Sequence, residues 1–255
     1  MVHSVSHKLI LEFNGSDFSI ITVSKEHDIL SFKTLNFFDD KIIKNLLDEL
    51  PEVYADVNLL VRKADFITIP EDFFEVDFNI IYSLSYILND DFILNIDKTD
   101  YGVGIVYPIE KLYFDLIKSK FSRVMVCSEA SLILKKIFKV VNFQKPKILI
   151  SLNQEKLIVF VVKDNKLQLC NPYITKSDDD TFYYVMLAIE QLHLQPEDTE
   201  LVILGEPTDR KAIFELFKNY INEINIWLEE YNSQDLFQNK QVIDRSFALQ
   251  QLLCG

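Results

Sequence analysis

Lys8-Leu9-Ile10-Leu11-Glu12-Phe13-Asn14 is echoed, 139 positions later, by Lys147-Ile148-Leu149-Ile150-Ser151-Leu152-Asn153. The same offset sets Phe18-Ser19-Ile20-Ile21-Thr22-Val23 against Leu157-Ile158-Val159-Phe160-Val161-Val162. Asp28-Ile29-Leu30 falls opposite Leu167-Gln168-Leu169, the weakest of the three matches. Each copy then reaches an acidic pair, Asp39-Asp40 and Asp178-Asp179, which we read as helix N-caps with favourable charge at the positive helix end, in preference to a metal site. Ile42, Ile43, Leu46, Leu47 and Leu50 follow in the first copy, and Phe182, Val185, Met186 and Ile189 in the second, at spacings that put them on one helix face. Short β-rich runs close both units, Val57 to Val61 and Leu201 to Leu204, after a few extra residues in the second copy. Any two strands look alike, but matched order, spacing and turn positions point to an internal duplication of a β-β-β-α-β unit.

Between the copies, Tyr101 to Tyr107 reads as a strand, Pro108 as the opening of a helix through Ile117, and Arg123 to Val126 as a short buried strand. Ser128 begins a helix running to about Val141, and Ile224 to Leu228, with Trp227, is a β-like core run. Gln144-Lys145-Pro146 is the expected hinge, because the residue before proline resists helix. The division is a first lobe over 1–143, with an insertion near 65–107, and a second over 144–255, whose last helix, 244–253, is expected to pack back on the first lobe.

The chain has 255 residues, 49% hydrophobic and 13% aromatic, enough apolar mass for two cores without disulfides. Its three cysteines, Cys127, Cys170 and Cys254, have no short spacing and fit thiols in a reducing compartment. The apolar stretch Phe78 to Leu88 is interrupted by Asn79, Ser83 and Ser85 and is short of the ~20 residues that span a bilayer. No signal peptide is apparent, so the expectation is a cytoplasmic protein without a membrane span. A net charge of −13 disfavours nucleic acid. The densest basic cluster, Lys135, Lys136 and Lys139, reads as a solvated helix flank.

Two copies of this unit, one per lobe, resemble the superfamily of actin, heat-shock protein 70 and the sugar kinases, and most of all the actin-like pilus-assembly and secretion-platform proteins. Phe66-Ile67-Thr68-Ile69-Pro70-Glu71-Asp72-Phe73-Phe74 is also similar to a stretch of an uncharacterised bacterial family of about this length. The resemblance implies an α/β, duplicated actin-like (ribonuclease H-like) fold with mixed sheets flanked by helices. It also implies ATP between the lobes, held by glycine-rich hairpin turns and an aspartate organising Mg²⁺. On that resemblance the cleft residues are Asn14, Gly15 and Ser16 in the first turn, Asn153 and Gln154 in the second, and Gly205 in the nucleoside turn.

The chain departs from that pattern. Phe13 stands where the aspartate is expected, and Glu12 substitutes only if the strand register differs. The second turn, Leu152-Asn153-Gln154-Glu155-Lys156, keeps neither aspartate nor glycine, and Ala248 stands where a glycine often lies. A carboxylate ~4 Å from a phosphate charge costs ~4 kcal/mol at an effective dielectric of ~20. Micromolar binding is worth only about 8 kcal/mol, so Glu155 facing a phosphate removes much of the affinity unless Mg²⁺ or Lys156 offsets it.

The chain has no P-loop and no nucleophile elbow, and Gly102-Val103-Gly104 lacks the third glycine of a dinucleotide fingerprint, so it reads as a strand with close backbone neighbours. His3 and His7 read as terminus residues rather than metal ligands, and His193 as a helix-end residue. The leading expectation is a non-catalytic scaffold or adaptor with degenerate phosphate loops, no bound cofactor and an unidentified protein partner. The alternative is a nucleotide-binding or ATP-hydrolysing enzyme using Mg²⁺ and atypical loops. Exposed aromatics at Phe73-Phe74 or Phe37-Phe38 are a conceivable contact patch, with core packing the expected role of most.

Overall fold

The computed structural model describes residues 7–14, 17–36, 40–62, 65–83, 90–140, 144–153, 155–205, 210–227 and 246–254. Strands β1 (Lys8–Asn14) and β2 (Asp17–Val23) form an antiparallel hairpin in which Asn14 pairs with Asp17. The later pair, Lys147–Asn153 and Lys156–Lys163, repeats it with Asn153 opposite Lys156, so the 139-residue offset holds through both strands. It breaks at the third strand. β3 (Ile29–Asn36) is reached through a longer turn, where Ser24 Oγ accepts from the Glu26 and Asp28 amides and His27 adopts φ 68. Its counterpart, Lys166–Ile174, follows Asp164-Asn165, both at positive φ, the two-residue turn that matches strand twist. Leu35 consequently pairs with Phe18, whereas Tyr173 pairs with Leu157, a slip of one residue that accounts for the weak third match.

Helix α1 (Asp40–Glu49) buries Ile43 and Leu47, and β4 (Asp56–Val61) then lies parallel to β1. The middle of the chain holds β5 (Ile67–Pro70), a short 3-10 turn (Glu71–Phe73), α2 (Phe78–Ser83), β6 (Phe92–Lys98) and β7 (Val103–Glu110), in a three-stranded sheet of order β5-β7-β6. Pro108 therefore lies within a strand, and α3 (Lys111–Lys120) starts three residues after it, contrary to the sequence expectation. Steps of the β6–β7 ladder at Thr99 N to Val103 O and Lys111 N to Asp91 O lie an odd number of residues from Pro108. Its missing N–H thus faces away from β6, on the side where β5 has already ended at its pairing with Val106.

β8 (Met125–Ser128), two residues later than expected, pairs parallel with β4 and leads into α4 (Glu129–Val140). β9 (Lys147–Asn153), β10 (Lys156–Lys163), β11 (Lys166–Ile174), α5 (Asp178–Gln191), β12 (Glu200–Leu204), α6 (Arg210–Phe217), β13 (Glu223–Trp227) and α7 (Phe247–Cys254) complete the chain. The sheets run β3-β2-β1-β4-β8 and β11-β10-β9-β12-β13, the same order twice. The cap of α5 is Ser177, not the acidic pair. Its Oγ accepts from the Asp180 amide while the Asp180 carboxylate accepts from the Ser177 amide, and Asp178 and Asp179 fill the first turn. Asp39, the first residue of the earlier pair, lies outside the described residues.

One buried cluster joins first-lobe strands (Leu9, Leu11, Leu59), α4 (Ile133, Leu134, Ile137), α7 (Phe247, Leu249, Leu253) and one side of the second sheet (Leu149, Ile158, Phe160, Val162). The other side of that sheet packs separately against α5 and α6 through Ile148, Ile150, Val185 and Phe217. Lys8 Nζ and His27 Nδ1 meet the Leu252 and Leu253 carbonyls, fastening the end of α7 to the first lobe. Gly104 is needed where the insertion closes on itself, because a Cβ there would lie 2.7 Å from Phe74 and 2.9 Å from Ile96.

Burial pushes the Cys127 and Cys170 thiols up to about 12, with the Asp97 charge adding to the effect at Cys127. Both are expected to resist alkylation at mildly alkaline pH in a folded Cys254→Ser variant and to react fully in denaturant. Mass spectrometry of the labelled protein checks this, and native labelling of either would contradict the packing.

Candidate functional site

Alternation along β9 sends Leu149 and Ser151 toward the seam between the lobes and Ile148 and Ile150 into the second-lobe core. Glu12 is the counterpart of Ser151 on β1, and its carboxylate also lies at the seam. Phe13 does not: its ring packs 4.8 Å from Phe18 and 5.3 Å from Tyr113 in the first-lobe core. The seam carboxylate thus comes one residue earlier than the aligned turn suggested.

Glu12 Oε1 accepts from Arg62 Nη1 at 2.7 Å, and Arg62 Nε lies 3.4 Å from Glu129 Oε1. Ser151 Oγ, from the second lobe, donates to the same Glu129 oxygen at 3.4 Å. Glu12, Arg62 and Glu129 are 2%, 4% and 6% exposed. Arg62 follows β4 directly, and its amide donates to the Phe13 carbonyl, extending the parallel ladder by one step. Lys156 Nζ reaches from β10 to the Arg62 carbonyl at 3.3 Å. Burial alone would lower the Arg62 pKa, but the charges of Glu129 and Glu12 outweigh it and hold the guanidinium above its ordinary value. Its Nε makes no aligned hydrogen bond and is held by charge.

The start of α4, which points into the same region, is also answered internally. Ser128 Oγ accepts from the Ser131 amide, and Asp97 Oδ2 accepts from the Ser128 amide at 2.7 Å and from Ser131 Oγ at 2.5 Å. Two carboxylates, Asp97 and Glu129, therefore meet the positive end of this helix. Asp97 Oδ1 accepts from Tyr107, whose phenol burial and the Asp97 charge push well above the usual range. The insertion also touches the second lobe, where Thr68 Oγ1 donates to the Cys170 carbonyl at 2.8 Å.

Of the cleft residues read from sequence, Asn14 and Asn153 end their strands at the hairpins, and Gly205, at φ 80, donates its amide to Trp227. Gly15, Ser16 and Gln154 lie outside the described residues. Glu155 is exposed, and its carbonyl accepts from the Thr175 amide. Arg62, Glu129 and Asp97 were not singled out from sequence. The available signal was a charge ending an apolar run, as in Leu59-Leu60-Val61-Arg62, since such residues are buried only when paired.

The charge at this floor is paired internally, with the Arg62 guanidinium shared between two buried carboxylates. Among the described residues no group of three or more His, Cys, Asp or Glu side chains could hold a metal ion, and no helix is long and apolar enough to cross a membrane.

Residues 2–224 match the family described as protein of unknown function, DUF3822. The chain belongs to that family. A Bacteroides thetaiotaomicron protein with an actin-like ATPase fold and unknown function superposes with a TM-score of 0.83 over 100% of this chain and 99% of that one, at 17% identity. A structure of the PilM-PilN type IV pilus biogenesis complex matches with a TM-score of 0.58 over 97% of each chain, at 10% identity. The DUF3822 chain thus has the actin-like ATPase fold, with two mixed five-stranded sheets. No curated protein sequence matches it.

Arg62→Met leaves two buried carboxylates facing each other and is expected to destabilise the fold by about 3–5 kcal/mol. Replacing the triad together (Glu12→Leu, Arg62→Met, Glu129→Leu) should recover most of that loss, as read by urea unfolding. A single-variant cost below about 1 kcal/mol, the worth of an exposed pair, would contradict the buried geometry.

Proposed function

We propose that this DUF3822 protein is a non-catalytic actin-like body that serves as a scaffold or adaptor in a protein assembly. The observation supporting the reading is the Glu12–Arg62–Glu129 triad, whose charges pair with one another at the seam close to the hairpins that the resemblance assigns to the phosphates. Bound phosphate there would have to displace two carboxylates from a desolvated guanidinium and meet their repulsion. The asparagine-ended hairpins and Gly205 are, on this reading, remnants of nucleotide loops, and no cofactor is required. A precedent for an actin-like fold working through a partner is the PilM-PilN complex, whose likeness to this chain is one of fold. The free buried thiols suit a reducing cytoplasm.

The competing reading, an ATP-binding enzyme with atypical loops, is favoured by Gly205, whose left-handed conformation after β12 suits close backbone approach to a ligand. Titration calorimetry with ATP, with and without Mg²⁺, separates the two. The adaptor reading expects no heat at millimolar ATP and an unchanged melting temperature. A ligand a hundredfold above its Kd would add about 2.7 kcal/mol of stability, which a melt detects easily. Micromolar binding, or an ATPase rate abolished by cleft substitutions, would overturn the proposal.

A further inference from the structure

From Ala64 to Asp97 the chain carries eight carboxylates and no Lys, Arg or His. Within this run the 3-10 turn and α2 have two different sides. Phe74 and Tyr82 face the insertion's own sheet, where Tyr82 packs with Ile69 and Val106 and Phe74 lies against them. Phe73, Val76 and Ile80 are exposed by 48%, 41% and 60%, at spacings of three and four residues. The Val76 amide donates to the Phe73 carbonyl and the Ile80 amide to the Asp77 carbonyl, which holds these residues in successive turns. Glu71, Asp72, Glu75 and Asp77 around them are all exposed. Lys98, at the end of the run, sits over the Phe74 ring at 4.9 Å.

Apolar side chains at helical spacing leave surface that an isolated protein gains by covering, and the carboxylates around them select what covers it. A second copy docked on this same face would oppose the two sets of four carboxylates. Nucleic acid and anionic lipid are repelled by the same charge. Resting on the adaptor reading above, we propose that the Phe73–Val76–Ile80 stripe docks a basic amphipathic segment of a partner protein. That segment places its apolar residues on the stripe and its flanking Lys and Arg on Glu71, Asp72 and Glu75.

The probe is a fluorescent synthetic helix of Leu and Lys in amphipathic order, with a Leu and Glu helix as control, titrated by anisotropy against the full chain. The Lys helix is expected to bind and the Glu helix not. Phe73→Ser with Ile80→Asn, which keeps every carboxylate, is expected to weaken binding by about tenfold or more, as truncation of apolar anchors does. Asp72→Asn with Glu75→Gln should weaken it also and flatten its salt dependence. All four positions are exposed, so both variants should melt as the wild type does. Hydrogen exchange on the wild type should show protection over 71–83 when the probe is bound.

Unchanged affinity in the apolar variant would reduce the surface to diffuse acidic attraction and overturn the proposal. Protection mapped elsewhere would do the same. So would a wild-type dimer in sedimentation that the apolar variant dissolves, since the occupant would then be a second copy. None of these outcomes changes the ATP titration, so the docking surface and the non-catalytic reading can fail separately.

Discussion

Burying a guanidinium is costly unless opposite charge meets it, and the seam side of the first lobe is organised by how Arg62 meets that requirement. Its side chain leaves the end of β4, where the amide is already committed to the Phe13 carbonyl, so the charge has little freedom to move. One carboxylate comes from the neighbouring strand through Glu12 and the other from the first turn of α4 through Glu129. Ser151 of the second lobe completes the group. The ends of β1 and β4 and the start of α4 are therefore tied together by charge in an almost fully buried site, and β9 joins them through one hydrogen bond. Removing Arg62 leaves both carboxylates without a counter-charge, which makes the guanidinium the member the group depends on.

The two lobes share a backbone plan but spend their polar groups differently. In the first, Glu12 occupies a seam-facing position. In the second, the equivalent residue is Ser151, a hydroxyl that needs no counter-charge. The insertion adds a further polar contact through Asp97, which caps α4 from a neighbouring sheet, and Thr68, which binds the edge strand of the second lobe. The seam is thus bridged by the shared apolar core, by the Ser151–Glu129 hydrogen bond and by the insertion. The actin-like frame is retained while the chemistry at its centre is one of internal charge pairing.

The acidic balance of the chain is concentrated, and the insertion carries most of it. The exposed carboxylates around the 3-10 turn repel one another only weakly across water. That same composition gives the insertion a surface distinct from the rest of the molecule. Gly104 lets β7 run close under Phe74 and Ile96, so the inner side of this small unit is tightly closed while Phe73 and its neighbours stay outside.

The repeated strands, their hairpin positions and the amphipathic helices were legible in the sequence, because period-two and helical hydrophobic patterns are set by neighbours a few residues apart. So were the departures at Phe13 and in the second turn, which are matters of residue identity. Local patterning did not reveal that Pro108 lies in a strand, since that depends on β5 ending beside it and leaving no N–H to be missed. Nor did it identify Ser177 as the cap of α5, where three aspartates follow and only backbone geometry chooses between them. The seam was the largest gap: Glu12, Arg62, Glu129 and Ser151 are scattered over the chain, and a charge pair is defined by distance in space. Sequence alone determined the duplicated fold and the residue identities at its hairpin turns. Tertiary structure alone decided which charges meet at the seam, because only folding brings residues fifty or more positions apart into hydrogen-bonding range.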